Sequence, residues 1–261
     1  MMPTSSSEKD FSLLREVLAK FACIPYENLS KIIKFAKESG PDPANILRKP
    51  SEVFEDHEKY GLGGTCFSLT YALKSLLDPL HIRTDYVLAD MKWGRRVHCA
   101  LVARIGGGEY LIDPGYLFSE PLALRHTEKR VISQKFAFAS VQYREGQWNL
   151  YTFSPALQPK WRYRFSPDPV TENEFFFHWR ESFFQKSMNH LCISRVSGEA
   201  QAFFARDFMR VTTPSSKKNI NVKRDPEKTI EEYFGIHPQM YQNAREALNA
   251  LKGEKREPSA G

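Results

Sequence analysis

The sequence has no long hydrophobic run and only four cysteines among its 261 residues. No stretch approaches the roughly 20 apolar residues that a helix needs to cross a bilayer, so we expect no membrane partner. The cysteines, which are Cys23, Cys66, Cys99 and Cys192, lack Cys-x-x-Cys spacing, and this argues against a structural zinc site and a disulfide framework. The first ten residues are polar and predict no secretory signal. These absences favour a cytoplasmic protein with no metal.

Other absences concern phosphate and nucleic-acid binding. The glycines at positions 106–108 lack the Gly-Lys-Ser/Thr continuation of a phosphate-binding loop, so we interpret them as a turn. The net charge of +6 is small beside 37 basic and 31 acidic residues, and it favours anionic small molecules over nucleic acid. The chain is not poor in apolar residues, because hydrophobic types make up 41% of it and aromatic types 13%. That composition excludes a disordered protein.

Hydrophobic periodicity divides the chain into helical and extended parts. Apolar residues at helical spacing predict helices over residues 11–22 and 28–35, a short acidic helix before Gly61, and a helix that begins near Thr65 or Cys66. From Thr84 onward, short runs of β-branched and aromatic residues between turn signals predict an antiparallel sheet or barrel. The remaining pattern predicts a helical or irregular segment at residues 175–187. It predicts further strands at residues 191–196 and 200–211, and closing helices at residues 227–234 and 239–251. The fold class is therefore α+β.

Cys66 is a candidate nucleophile. It follows Gly63 and Gly64 and opens a predicted helix, so unpaired N–H groups and the positive end of the helix dipole favour its thiolate. The two glycines permit a sharp turn, and we expect them to leave backbone N–H groups free to hold an oxyanion. The alternative is that Cys66 is a small buried hydrophobic residue behind a flexible loop.

A nucleophilic cysteine needs a base and an acceptor that orients the base. His98 lies in an alternating strand that places Cys99 on the opposite face, in the core. Asp113 ends the next strand, and a hairpin at residues 106–108 sets it within two or three positions of His98. Taken singly, a core histidine and a strand-ending turn explain these residues as well. Together with Cys66 they form the set that a cysteine acyl-transfer enzyme requires.

Several segments resemble the signatures of the arylamine N-acetyltransferase family. Three of them are Gly63-Gly64-Thr65-Cys66, the strand with His98, and Tyr110-Leu111-Ile112-Asp113-Pro114-Gly115-Tyr116, with the family's usual fifteen-residue step from histidine to aspartate (113 − 98 = 15). Upstream, Ile24-Pro25-Tyr26-Glu27-Asn28-Leu29 resembles the family's Ile-Pro-Phe-Glu-Asn-Leu element. Downstream, residues 187–195 and 233–236 resemble its third-domain strand and closing helix. The likeness spans most of the chain, with specific motifs in the first two thirds.

The resemblance implies an architecture and a reaction. It implies a helical bundle over residues 1–80, an antiparallel β-barrel over 81–190 and an α/β lid over 191–261, around a papain-like triad. It also implies transfer of an acetyl group from acetyl-CoA to an arylamine or arylhydrazine nitrogen, by a ping-pong mechanism through acyl-Cys66. In that mechanism His98 takes and returns protons, and Asp113 holds His98 and stabilises its cation.

The resemblance also implies residues that bind the substrates. By position, Tyr26 and Tyr116 match aromatic residues that line the family's acyl and amine pocket, and Thr212 matches a residue near the CoA pyrophosphate. A basic stretch suits the phosphates of CoA, or an acyl carrier protein as an alternative partner. Its cationic residues are Arg125, Lys129, Arg130, Lys135, Arg144, Lys160, Arg162 and Arg164. The alternative is that this stretch is an ordinary solvated face of a sheet.

Three residues depart from the family pattern. The family usually has arginine where Leu62 stands, an acidic or amide residue where Ser68 stands, and glycine where Leu117 stands. If that arginine pairs with the carboxylate of the Glu-Asn-Leu element, Glu27 has lost its partner unless another donor replaces it. We expect Leu117 to narrow the pocket near Tyr116.

None of these departures removes a catalytic group, so they bear on the identity of the substrate more than on the type of reaction.

Two other hypotheses about the function remain open. One is an amide synthase or thiol hydrolase on the same scaffold that acts on other thioesters. The other is a binding protein that keeps the fold and has lost turnover, in which Cys66 would be an ordinary, unreactive thiol.

Overall fold

The computed structural model describes residues 5–38, 45–126, 131–134, 137–153, 158–213, 215–222 and 224–254. The helices found in these ranges are α1 (Ser5–Phe21), α2 (Leu29–Lys37), α3 (Pro50–Tyr60), α4 (Cys66–Leu77), α5 (Glu172–Glu181), α6 (Pro226–Phe234) and α7 (Pro238–Glu254). The strands are β1 (Tyr26–Glu27), β2 (Thr84–Met91), β3 (Gly94–Ile105), β4 (Gly108–Ile112), β5 (Leu122–Ala123), β6 (Ile132–Ser133), β7 (Phe138–Arg144), β8 (Gln147–Phe153), β9 (Pro159–Phe165), β10 (Cys192–Ser197), β11 (Ala200–Ala205), β12 (Phe208–Thr212) and β13 (Lys217–Asn221). The predicted α+β class is confirmed.

A nearly closed antiparallel barrel forms the centre of the molecule. Its strand order is β5-β4-β3-β2-β9-β8-β7-β6, and β5 also approaches β7 at the open side. The barrel interior contains Val87, Ala100, Trp148 and Leu150, all of them buried. The predicted barrel is therefore confirmed, and its core follows from the alternation of apolar residues along each strand.

The hairpin of β3 and β4 confirms the turn predicted at residues 106–108. Ile105 pairs with Gly108, and the two residues between them, Gly106 and Gly107, have φ angles of 58° and 77°. Glycine adopts this left-handed region without strain, and it matches the twist of the flanking strands. The alternation predicted for β3 is also confirmed, because Ala100 packs into the barrel core while Cys99 packs against the helices.

A second sheet has the order β1-β10-β11-β12-β13. Its first strand comes from the segment before α2, so the sheet joins the two ends of the chain. The strand predicted over residues 200–211 is instead a hairpin of β11 and β12, since Arg206 has a φ angle of 61° and turns the chain. The strand β13 follows β12 and is not among the predicted strands.

One hydrophobic core connects the predicted helical, barrel and lid ranges. It includes Leu14 of α1, Cys99 of β3, Ile193 of β10 and Tyr241 of α7. Asn28 adds a polar joint, because its side-chain amide donates to the carbonyls of Ser187 and His190, at 3.0 and 2.8 Å. Its Oδ1 accepts from the Cys192 N–H at 2.8 Å. The division into three domains stays a prediction.

Within the described ranges, none of the helices is both long and apolar enough to cross a membrane. The same ranges contain no group of three or more His, Cys, Asp and Glu side chains suited to hold a metal ion. The cytoplasmic location stays a prediction.

Candidate active site

Close backbone packing positions the start of α4. The Glu27 N–H donates to the Gly64 carbonyl at 2.9 Å, and the Gly64 N–H donates to the Pro25 carbonyl at 3.3 Å. A Cβ on Gly63 would overlap the Pro25 carbonyl, and one on Gly64 would overlap the Ser68 hydroxyl. Gly63 is therefore required because the segment before α2 lies directly against it, and Gly64 because the Ser68 side chain of α4 fills the space that a Cβ would need.

This packing corrects one expectation about the glycines. The Gly63 N–H donates to the Glu27 carboxylate at 3.2 Å, and the Gly64 N–H is bonded to Pro25, so neither is free to hold an oxyanion. The first-turn N–H groups of α4 are other candidate donors, because a helix leaves these groups without an intrahelical acceptor. Its N-cap residue, Thr65, makes no side-chain capping bond to them.

Glu27 is fully buried, and it has a cationic partner despite Leu62. Its carboxylate accepts from the Ser30 N–H at 2.8 Å and the Ser30 hydroxyl at 2.6 Å. Arg48, only 4% exposed, brings its Nη1 to 4.0 Å from Glu27 Oε1. Of the two outcomes left open by the sequence, the structure shows replacement of the partner, because a different arginine supplies the charge.

Arg48 also holds the glycine loop itself. Its Nη1 hydrogen-bonds the Gly63 carbonyl, and its Nη2 donates to Asp56 Oδ2 at 2.6 Å. The guanidinium thus connects the loop before the nucleophile to α3. The sequence analysis missed this residue, since Arg48 stands outside every motif and only the fold brings it to Glu27.

Asp113 organises the histidine. Its carboxylate is fully buried, and His98 Nε2 lies 2.8 Å from Oδ2. The Tyr163 hydroxyl donates to Oδ2 at 2.6 Å, and the Tyr116 N–H donates to Oδ1 at 3.1 Å. Leu101 pairs with Ile112, so the next residue, Asp113, lies opposite Ala100. Asp113 is therefore two positions away from His98 along β3. Tyr163 is a further residue that the sequence analysis missed, because it comes from β9, far along the chain.

Cys66, His98 and Asp113 converge on one glycine. A Cβ placed on Gly115 would lie 2.9 Å from Cys66 Cβ, 2.9 Å from His98 Cε1 and 3.2 Å from Asp113 Oδ1. The φ angle of Gly115 is not in the left-handed region, so the position is restricted by space rather than by backbone conformation. The side chains brought together here are the three that the sequence analysis proposed as the triad.

The electrostatics of this cluster favour a thiolate and an imidazolium. A hydrogen bond with Cys99 lowers the pKa of Cys66, whereas burial acts to raise it. A hydrogen bond with His98 and the positive charges of His98 and Lys31 lower it further, so the pKa of Cys66 is well below its ordinary value. Burial acts to lower the pKa of His98, but the Asp113 carboxylate and the Cys66 thiolate raise it to about 10. Thiolates are the reactive form of cysteine.

Cys99 and Lys31 are functional neighbours that the sequence analysis did not identify. Cys99 lies in the core as expected, but its thiol acts on the pKa of Cys66, and it donates to the Thr70 hydroxyl at 3.5 Å. Burial raises the pKa of Cys99 well above its ordinary value, so it stays a neutral donor. Strand alternation shows that Cys99 faces the helices, but not that the start of α4 lies over it.

The cluster opens into a cavity of about 1000 Å³. The predicted residues that line this cavity are Tyr26, Cys66, His98, Tyr116 and Thr212. Asp113 lies behind His98 and is fully buried. Leu117 also lines the cavity, with a φ angle of 56°, a conformation that costs a leucine about 1 kcal/mol and glycine nothing. The narrowing expected from Leu117 stays a prediction.

Four cationic side chains line the same cavity, on strands β9, β12 and β13. They are Lys160, Arg162, Arg210 and Lys217. The charge of Arg162, burial, and the charges of Arg210 and Lys217 together lower the pKa of Lys160, which shows that these cations act on one another. Of the predicted basic stretch, Lys129, Arg130 and Lys135 lie outside the described residues.

The chain is similar to a known family and to several solved structures. A family model described as N-acetyltransferase matches residues 10–242. No curated protein matches the sequence significantly. The resemblance drawn from the motifs is thus confirmed by a match over nearly the whole chain.

The solved structures that resemble this fold are arylamine N-acetyltransferases. The enzyme of Mycobacterium marinum superposes with a TM-score of 0.75 at 17% identity, over 92% of this chain and 91% of that chain. A structure of that enzyme in complex with CoA superposes with a TM-score of 0.74 at 16% identity, over 92% of this chain and 91% of that chain. The Salmonella typhimurium enzyme superposes with a TM-score of 0.69 at 16% identity, over 95% of this chain and 100% of that chain. At these identities the likeness shows the fold alone.

Replacement of Arg48 tests its role as the partner of Glu27. We expect Arg48→Met to lower the free energy of unfolding by about 3–5 kcal/mol, because it leaves a buried carboxylate without a cation. Urea denaturation measures the effect. Arg15→Met is the matched control, since its ion pair with Glu120 is half exposed and should change stability by less than about 1 kcal/mol. Equal losses for Arg48→Met and Arg15→Met would contradict this role.

Gly115→Ala tests whether the three side chains depend on their close approach. The added methyl group should separate Cys66 from His98 and lower the rate of Cys66 alkylation by iodoacetamide near neutral pH by about tenfold or more. Peptide mass spectrometry gives the rate, with the exposed Cys23 as an internal reference. Gly253→Ala in α7, which has open space around it, is the control. An unchanged alkylation rate in Gly115→Ala would show that the cluster does not need this contact.

Proposed function

The chain belongs to the arylamine N-acetyltransferase family, and on this premise we propose that it transfers an acetyl group from acetyl-CoA to an arylamine or arylhydrazine nitrogen through an acyl-Cys66 intermediate. One observation carries the proposal: Cys66, His98 and Asp113 meet at Gly115 beside a cavity of about 1000 Å³. The lowered pKa of Cys66 supports the same conclusion, because it favours the thiolate, which is the nucleophilic form of cysteine.

In the first half of the proposed reaction, the Cys66 thiolate attacks the carbonyl carbon of the thioester. The carbon–sulfur bond to CoA breaks, and the departing CoA thiolate takes a proton from the His98 imidazolium. Because Nε2 of His98 is engaged by Asp113, Nδ1 is the nitrogen left for this transfer. The exchange of one thioester for another keeps the acetyl group activated for the amine.

In the second half, the amine nitrogen attacks the acetyl-Cys66 carbonyl and the Cys66 thiolate leaves. His98 takes the proton from the amine, which returns the thiolate and imidazolium to their starting state. Asp113 holds the ring and stabilises its cation throughout. Tyr163 supports Asp113, since burial raises the pKa of Tyr163 well above its ordinary value and keeps its hydroxyl a donor.

The first turn of α4 is the proposed oxyanion site. Negative charge develops on the carbonyl oxygen as the sulfur attacks, and N–H groups directed at that oxygen stabilise it. Cys66 is the first residue of α4, so the attacked carbonyl lies next to the first-turn N–H groups and the positive end of the helix dipole. This role replaces the one expected of Gly63 and Gly64.

The cavity residues support acetyl-CoA as donor and an aromatic amine as acceptor. Lys160, Arg162, Arg210 and Lys217 offer charge for the phosphates, and Thr212 pairs with Lys217 at the same place. The Tyr116 ring lies 5.4 Å from the His98 ring, edge to face, and provides an aromatic surface beside the base. The comparisons give no support to an acyl carrier protein, which stays a prediction.

Intact-protein mass spectrometry after incubation with acetyl-CoA tests the reaction. We expect one added acetyl group on Cys66, lost again when an arylamine is supplied and recovered as the amide. Cys66→Ala should form no adduct, His98→Ala should lose most of the acylation rate, and Asp113→Asn should lose less, because Asp113 mainly orients the base. Cys23→Ala is the control and should acylate normally. Failure of every short acyl-CoA to form an adduct would overturn the proposal.

The pH profile of Cys66 alkylation tests the thiolate–imidazolium pair. A thiolate persists above the pKa of its thiol and is lost as pH falls through it, so a lowered pKa keeps Cys66 reactive below pH 8.5, where an ordinary cysteine becomes protonated. We expect the alkylation rate to change by less than about threefold between pH 8 and pH 6. His98→Ala should restore a tenfold fall per pH unit. An inert Cys66 up to about pH 8 would favour the binding-protein hypothesis.

A further inference from the structure

Lys31 is a buried cation in the same cavity as Cys66. It belongs to the first turn of α2, is 5% exposed and lines the cavity. Its Nζ donates to the Ser182 carbonyl at 2.9 Å and to the Ser182 hydroxyl at 2.6 Å, and it lies 4.3 Å above the Phe183 ring. These contacts fix the ammonium group in position but supply no negative charge.

No carboxylate pairs with Lys31 among the residues that the structure describes. Burial lowers the pKa of Lys31 to about 7, and the electrostatic interactions with Cys66 and Cys99 act to raise it. A buried ammonium without an anionic partner is costly, whereas one that meets a carboxylate of a ligand gains a charge-assisted hydrogen bond. The side chain is therefore suited to bind a carboxylate, which the described part of the polypeptide does not supply.

The phosphates of CoA do not account for this cation. The four basic side chains suited to phosphates lie on β9, β12 and β13, whereas Lys31 lies on α2 and acts electrostatically on the Cys66 thiol. A group that reaches Lys31 must therefore lie close to the reacting centre. In the proposed reaction, the acyl chain and the amine are the two groups at that centre.

We propose that Lys31 is a carboxylate-binding residue, so that the enzyme prefers substrates with a free carboxylate on the acyl chain or on the amine. This rests on the proposed function, because it assigns the substrate class of the same site. The carboxylate would accept hydrogen bonds from Nζ of Lys31, with the Ser182 hydroxyl as a neighbouring polar group. Lys31 would then act as a specificity residue that does not take part in bond making.

Two matched pairs of substrates distinguish the acyl chain from the amine as the source of the carboxylate. Succinyl-CoA and butyryl-CoA have the same chain length and differ in one carboxylate, and the rate of Cys66 acylation compares them. 4-Aminobenzoate and 4-aminobenzamide differ in the same way, and the rate of acetyl-Cys66 loss compares them. In one pair we expect the carboxylate to raise the rate about 10–100-fold. Lys31→Met should bring the ratio of the two rates within that pair close to one, whereas a change in the pKa of Cys66 alone would alter both rates equally and leave the ratio unchanged.

Two further variants separate specificity from a structural effect. Lys31→Gln keeps a polar side chain of similar length and should also abolish the preference, so the test does not depend on the folding of one variant. Ser182→Ala removes one acceptor but keeps the ammonium, and should retain the preference. An equal loss of rate for charged and uncharged substrates in Lys31→Met would show that Lys31 acts only on the Cys66 thiol, and it would overturn the proposal. The absence of a preference in both pairs would overturn it as well.

A binding measurement keeps this proposal distinct from the proposed function. Calorimetric titration of the unmodified protein with succinate and with butyramide does not require acyl transfer. We expect succinate to bind more tightly than butyramide, and Lys31→Met to remove the difference. If Cys66 is acylated but succinate shows no such advantage, the proposed function stands and the carboxylate site fails. If no thioester acylates Cys66 but succinate binds through Lys31, the carboxylate site stands and the proposed function fails.

Discussion

The buried carboxylate of Asp113 is the charge on which the reactive centre depends. A carboxylate without exposure to solvent is stable only when hydrogen bonds satisfy it, and Asp113 receives them from His98, the Tyr163 hydroxyl and the Tyr116 N–H. The same charge raises the pKa of His98 against the effect of burial. Together with the hydrogen bond from Cys99, the cationic ring in turn lowers the pKa of Cys66, so part of the reactivity of the sulfur depends on a carboxylate that does not line the cavity.

A second buried carboxylate, Glu27, positions the nucleophile in a comparable way. It accepts from the Gly63 N–H and from Ser30, and Arg48 supplies the opposite charge. The loop needs a cation that lies near Glu27 and also forms a hydrogen bond with the Gly63 carbonyl. This cation does not have to be a neighbour of Gly63 in the sequence. The loss of an arginine at Leu62 is therefore compatible with the same loop geometry, because the tertiary structure brings Arg48 to it.

The predictable parts of the fold and site are those with local causes. The hairpin of β3 and β4, the offset between His98 and Asp113, and the start of α4 at Cys66 each follow from spacing, turn residues or strand alternation within about twenty positions. The resolution of residues 200–211 into two strands was not predicted, because the turn at Arg206 has no glycine or proline to signal it. The N–H groups of Gly63 and Gly64 were assigned wrongly, since their acceptors lie in the segment before α2.

The sequence by itself determined the α+β class, the hairpin of β3 and β4, the triad candidates and the family, because these depend on neighbouring residues and on motifs. Only the tertiary structure decided which other groups surround the sulfur. Cys99, Tyr163 and Lys31 come from different elements, and their effects arise from burial and from charge at short distance. Desolvation and Coulomb interactions depend on separation in space. That separation exists only after the chain has folded, so it has no signal in the order of the residues.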